Sequence, residues 1–128
     1  MKVSALVGGY TQTIESSASL AEAAQTMVSN GVGSLVVTSN GNMRGIFTEH
    51  DLTRAVAHRS DIEGDTVDDW MSDYPLLAAP DWTLEEAADT MVEHGIRHLP
   101  ILDESGKPTG MISIKDLLWA MRGPSVEE

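Results

Sequence analysis

The chain has 128 residues, 41% of them hydrophobic, which is enough to bury a real core, and it carries a net charge of -12 with a pI near 4.5. A negative field of that size opposes approach to nucleic acid or anionic membranes. The absence of cysteine excludes disulfides, thiolate nucleophiles and Cys-based metal sites, and leaves the redox compartment undetermined. Residues 1–10 lack both a strong basic stretch and a long apolar one, and no run reaches the roughly 18 apolar residues needed to cross a bilayer. A soluble, cytoplasmic protein without nucleic-acid or membrane partners is the expectation.

Taken in order, residues 12–15 read as a short strand. Ser19 with Glu22 three positions later is a capping-box signature, and Leu20, Ala23, Ala24, Met27 and Val28 recur behind it at helical spacing. Gly31 closes that helix, because glycine accepts the left-handed conformation of a C-terminal cap. Residues 34–38 are apolar and β-branched, and they lead through Asn40-Gly41 into a second strand at Gly45, which makes a hairpin. Thr48 then begins a second helix carrying Asp51, Leu52, Ala55 and Val56. Residues 59–74 hold Asp61, Glu63, Asp65, Asp68, Asp69 and Asp73 and read as a solvated connector that ends in a short amphipathic piece around Val67, Trp70 and Met71. The same series follows again: a strand over 76–79, a helix from Thr83 and Glu86 to Gly95, a strand over 98–102, a turn at Ser105-Gly106, a strand at Gly110, and a helix from Ser113 with Asp116, Leu117, Ala120 and Met121. The tail from Gly123 is expected to fray.

The two series are one repeat. At an offset of 64, seven of nine positions from Leu20 to Val28 are identical with Leu84 to Val92, Gly31 falls on Gly95 and Leu35 on Leu99. After one inserted residue, Gly45 to Leu52 falls on Gly110 to Leu117, and even Val3 falls on Val67. The repeat is β-α-β-β-α.

This repeat, the segment Gly95-Ile96-Arg97-His98-Leu99-Pro100-Ile101 before a glycine turn, the segment Val67-Asp68-Asp69-Trp70-Met71, and two Gly-h-x-[Ser/Thr]-x-x-Asp motifs ending at Asp51 and Asp116 together resemble a tandem pair of CBS domains, a Bateman module, from about Val3 to Arg122. The resemblance implies an α/β (α+β) fold in which two β-α-β-β-α repeats pack as a pseudo-twofold module: 1–58 as the first repeat, 59–66 as an acidic linker, 67–122 as the second repeat and 123–128 as a tail. It also implies clefts between the repeats that hold an adenosine-containing ligand such as AMP, ADP, ATP or S-adenosylmethionine. In that family the motif aspartate accepts from ribose hydroxyls and the Ser or Thr meets phosphate.

Carried onto this sequence, the resemblance gives a nucleotide-binding set. Thr48 and Asp51 would be joined by residues 76–78, including Ala78, and by Ile96, Arg97 and His98. Ser113 and Asp116 would be joined by residues 12–14, including Ile14, and by Val32, Gly33 and Ser34. Arg97 and His98 stand where related members, among them the γ subunit of AMP-activated kinase, place phosphate, and Lys115 brings a cation to the second site. A chain of this charge needs local cations to hold a polyanion, so the site of Asp51 is expected to prefer a phosphorylated nucleotide. The same residues admit plainer roles. Thr48 with Asp51 and Ser113 with Asp116 are capping pairs that need no ligand, Arg97 could be a surface cation, and His98 a packed strand residue.

His50, His58, His94 and His98 invite a metal reading, but His94 and His98 flank Gly95 at a helix end and so are not two ligands on one helical face, and neither a nucleophile elbow nor a phosphate loop is present. The methionines fall mostly on apolar faces, and Trp70 and Trp119 suit a dimer surface. The expected protein is a regulatory module rather than an enzyme. It has no catalytic residue, metal site or required cofactor, takes an adenosine nucleotide or S-adenosylmethionine as regulatory ligand, forms a homodimer and acts on an effector protein not identified by the sequence. The alternative is a ligand-free structural or interaction domain that works through dimerisation.

Overall fold

Ser19 and Thr83 each start a helix by the same pair of bonds. In a computed structural model that describes residues 1–5, 12–73 and 76–122, the Ser19 and Thr83 hydroxyls accept from the amides of Glu22 and Glu86, and those glutamates accept from the cap amides at 2.8 Å. The helices run Leu20–Asn30 (α1) and Leu84–His94 (α4), and both end at a left-handed glycine, Gly31 and Gly95. Each places small and apolar residues on one stripe, with Leu20, Ala23 and Met27 buried on α1 and Ala87 and Met91 on α4.

The chain divides into two compact units, one spanning Thr11–Pro75 and the other combining Met1–Tyr10 with Leu76–Glu128. The first holds a three-stranded sheet. Thr13–Glu15 (β1) lies parallel to Ser34–Ser39 (β2), which pairs antiparallel with Asn42–Thr48 (β3) through a turn where both Asn40 and Gly41 take positive φ. Glu49–Ala57 (α2) and the single turn Val67–Trp70 (α3) complete it. Its core gathers Ile14, Leu20, Ala23, Met27, Leu35, Val37, Phe47, Ala55 and Val67. The second unit pairs His98–Leu102 (β4) antiparallel with Pro108–Ser113 (β5), followed by Ile114–Met121 (α5). Val3, Ala78, Ala87, Met91, Leu99, Ile101, Ile112 and Leu117 make its core. The hairpins share an irregularity at equivalent places, between Val37 and Thr38 and between Ile101 and Leu102. Their second strands begin earlier than the glycines suggest, at Asn42 and Pro108.

One expected element does not form. The strand over residues 76–79 is reduced to a single parallel bridge between Ala78 and Ile101. The cause is a proline on each side of the pairing. In the first unit the Val36 amide donates to the Gln12 carbonyl at 3.0 Å. The residue equivalent to Val36 is Pro100, which has no N–H to donate toward residue 76. At the other end Pro80 stands in the place of Ser16, whose amide donates to the Thr38 carbonyl at 2.9 Å, and it too has no N–H, so among the described residues the Ala78 bonds remain, its amide donating to Pro100 and its carbonyl accepting from Leu102.

The leading segments are exchanged between units. Residues Val3–Ala5 form one 3-10 turn whose Val3 amide donates to the Trp82 carbonyl at 2.8 Å, while Ser4 donates to Pro80 and Leu84 to Met1. In the other unit Val67 donates to Ala18 at 2.8 Å, Asp68 to Ser16, and Leu20 to Asp65. These are the same three bonds displaced by 64 residues. The segment that precedes the first repeat therefore finishes the core of the second, and the segment that precedes the second finishes the core of the first.

Candidate functional site

Both Gly-h-x-[Ser/Thr]-x-x-Asp motifs lie where the last strand of a hairpin turns into a helix, and the backbone arrangement repeats. Ser34 pairs with Thr48 and His98 with Ser113. The first amide of each helix donates back to the start of the hairpin: Glu49 to the Gly33 carbonyl at 3.1 Å and Ile114 to the Arg97 carbonyl at 2.8 Å. Thr48 and Ser113 are the N-caps, with extended backbone, and each accepts from the amide of its aspartate. The capping role that the sequence allows is thus present in both copies.

The side chains around this shared backbone differ. Asp51 is buried, 4% exposed, and both of its carboxylate oxygens are engaged. Its Oδ2 accepts from the Thr48 amide at 2.8 Å and from the Thr48 hydroxyl at 3.1 Å. Its Oδ1 accepts from Arg54 Nη2 at 3.2 Å. Arg54 is itself held. Nη2 also donates to the Trp70 carbonyl at 3.4 Å, and the guanidinium lies 5.5 Å from the centre of the Trp70 ring, whose face attracts a cation. His58 Nδ1 sits 2.8 Å from the Arg54 carbonyl, which can only accept, so Nδ1 is the donor there, and the His58 ring is 5.8 Å from that of Trp70.

Asp116 is exposed. Its Oδ2 accepts from the Ser113 amide at 2.9 Å, and among the described residues no cation or hydrogen-bond donor engages Oδ1. The residue in the place of Arg54 is Trp119, 70% exposed, with the Arg122 guanidinium 4.8 Å from its ring centre. Local charge differs in the same sense. At the N-terminus of α2 stand Glu49 and His50, and the Glu49 carboxylate lies over Gly33 so closely that a Cβ there would meet it at 2.6 Å. At the N-terminus of α5 stand Ile114, which packs on the second core, and Lys115, and Arg97 replaces Gly33.

Of the residues expected to bind a nucleotide, Thr48, Asp51, Ile14 and Val32 belong to the first unit, where Ile14 is in the core and Val32 packs against it. Ser113, Asp116, Lys115, Ile96, Arg97, His98 and Ala78 belong to the second, with Ala78 buried and Ile96 packed on its core. Arg97 and His98 lie directly across the hairpin from Ser113 and Ile114. Arg54 escaped the sequence reading, although a cation three positions beyond an acid on a helix is a readable pairing signal. Among the described residues no cluster of three or more His, Asp or Glu could hold a metal ion, and no helix is long and apolar enough to cross a membrane.

Comparison with known proteins adds the family context. A family model described as the CBS domain matches residues 10–58 and 67–123. The chain is 36% identical over 121 residues to a 17.7 kDa protein of Acidianus ambivalens, covering 94% of this chain and 73% of that one. A match to a homoserine O-acetyltransferase of Methanohalophilus mahii, 34% identical, covers 87% of this chain but 22% of the enzyme. Among solved structures, a CBS-domain protein of Burkholderia ambifaria superposes with a TM-score of 0.93 at 27% identity, over 100% of this chain and 98% of that one. A CBS domain protein of Pyrobaculum aerophilum complexed with AMP superposes with a TM-score of 0.85 at 25% identity, over 97% and 100%.

Proposed function

The chain belongs to the CBS domain family, and from that premise we propose that it is a regulatory module which binds an adenosine-containing ligand, AMP, ADP, ATP or S-adenosylmethionine, and catalyses no reaction. The observation that carries the reading is the Asp116 carboxylate, exposed at the start of α5 with one oxygen unengaged among the described residues. Such a group can accept from a ribose hydroxyl, and hydrogen bonds to a charged acceptor contribute about 1.5–3 kcal/mol, roughly ten- to a hundredfold in affinity. The AMP complex of the Pyrobaculum relative supports the ligand class. Thr48, Asp51 and Ser113 complete the proposed motif pairs. Arg97 and Lys115 supply positive charge for phosphate and His98 a ring nitrogen, and Ile14, Val32, Ala78 and Ile96 supply apolar surface for the base.

Thermal shift and calorimetry with these four ligands test the reading. Saturation at a hundredfold excess over Kd stabilises the native state by about 2.7 kcal/mol and raises the melting temperature by several degrees. No shift and no heat with any of them would leave the second reading, a ligand-free interaction domain, which is favoured by one observation: both motif pairs already close capping boxes without a ligand.

The reading extends to a cytoplasmic homodimer that passes ligand occupancy to an effector protein. On α5, Leu118, Trp119 and Met121 are 61%, 70% and 64% exposed, and the cations Lys115 and Arg122 flank them in a chain of charge -12, so a second copy offers both apolar and acidic surface to match. Light scattering should give a dimer mass that falls in Trp119→Glu. A monomer mass for the unaltered chain removes the dimer.

A further inference from the structure

Asp51 and Asp116 occupy the same place in the repeat, share the same capping bonds and differ in one partner. Asp51 has both carboxylate oxygens committed, one of them to Arg54, and its side chain is 6% exposed. Arg54 is in turn fixed by the Trp70 carbonyl and ring. At Asp116 the equivalent position carries Trp119, which offers no charge to the carboxylate. A ribose arriving at Asp51 must displace Arg54 from Oδ1, leaving a buried carboxylate to trade a bond from a charged guanidinium for one from an uncharged hydroxyl. A ribose arriving at Asp116 meets an Oδ1 with no such partner among the described residues. The surroundings push the same way for a phosphorylated ligand: Glu49 sits at the head of α2, whereas Lys115 and Arg97 stand at the head of α5.

We infer that the two motifs are unequal: Asp116 is the carboxylate that takes the ribose, and Arg54 keeps the Asp51 site closed, so that each chain binds one adenosine ligand and holds a second site latent. This rests on the adenosine reading above and reverses the expectation that a phosphorylated nucleotide prefers the site of Asp51. Trp70 makes the latch observable, since release of Arg54 removes a cation from its ring and changes its fluorescence environment.

AMP titrated calorimetrically into the full chain tests it. The unaltered protein should bind one AMP per chain, and Asp116→Asn should weaken that event by roughly tenfold or more. Arg54→Met, which keeps an apolar stem against Trp70 and removes the charge, should add a second event that disappears in the double variant Arg54→Met with Asp51→Asn. Circular dichroism establishes that each variant is folded. Should Arg54→Met fail to fold, the stoichiometry of the unaltered chain together with the affinity of Asp116→Asn still decides between equal and unequal motifs. Two equivalent AMP per unaltered chain, an undiminished affinity in Asp116→Asn, or loss of binding in folded Arg54→Met overturns the inequality and leaves the adenosine reading standing. Absence of binding by AMP, ADP, ATP and S-adenosylmethionine in the unaltered chain and in Arg54→Met overturns both.

Discussion

The first repeat places Arg54 one helical turn beyond its motif aspartate, and the second places Trp119 there. The backbone frame of the two motifs agrees: the strand pairing that presents them, the amide that returns to the hairpin, the extended cap residue and the reciprocal capping bonds. The backbone of this fold is therefore indifferent to which aspartate is free. What separates a committed carboxylate from an available one lies in side chains: burial, local charge and above all the residue three positions downstream, which can change without disturbing the helix that carries it.

The largest effects should come from the two residues that the repeats exchange. Val3 and Val67 are both fully buried and equivalent by offset, yet they serve opposite units. Val67→Asp should cost about 3–5 kcal/mol through burial of an unpaired charge, with hydrogen exchange accelerating first in β1, β2 and β3. Val3→Asp should cost a similar amount, with the acceleration in β4 and β5. Reversal of that pattern would break the assignment of leading segments to units.

Next in size is the transplanted latch. Trp119→Arg places the cation of the first repeat into the second, and it should lower AMP affinity about tenfold by engaging Asp116. Trp119→Ala serves as the control for loss of the indole, and equal affinity in the two variants would separate the closed site from the identity of this residue.

A smaller change follows from Pro100→Val. Restoring an N–H opposite residue 76 should return the hydrogen bond that Val36 makes in the first unit, contribute about 1 kcal/mol, and protect the new amide from exchange. An unprotected amide at 100 would mean that proline is not what shortens this strand.

The smallest effect lies in the turns. In the second hairpin the Ser105 hydroxyl donates to Asp103 at 2.7 Å, and the Lys107 and Ser105 amides donate to it as well. The Ser105 hydroxyl above all, followed by the Lys107 amide, holds the Asp103 carboxyl below its ordinary value. Because the folded value is depressed, the stabilisation is present above the unfolded value of about 3.9 and is lost as pH falls through the lower folded value. Amide exchange at Ser105 and Lys107 should rise in that acid window. The Asn40-Gly41 turn of the first hairpin, which holds no carboxylate, should be unaffected. Equal response of the two turns would remove Asp103 as the cause.

Helix starts and stops were legible because they are local: Ser19 with Glu22, Thr83 with Glu86, Gly31 and Gly95 act within four residues of sequence. The hairpin turn at Asn40-Gly41 was legible for the same reason. The missing strand at residues 76–79 was legible only in part, because Pro80 at its end is a local signal while Pro100 matters only through a parallel pairing that no local pattern announces. Val3 and Val67 were aligned by the repeat, but which core each would fill is a question of long-range contact. At the site, both motif pairs could be read and so could their double meaning as caps. The inequality between Asp51 and Asp116 depends on burial and on the Trp70 platform beneath Arg54, where a segment 16 residues further along returns to the helix.

The exchange of leading segments bears on how this chain can be divided. A break in the connector near residue 60 would release two lengths of chain, each taking away the plug that belongs in the other. Neither half would be a self-sufficient folding unit, and each should be recovered in ordered form only when both are produced together and trade those few residues back.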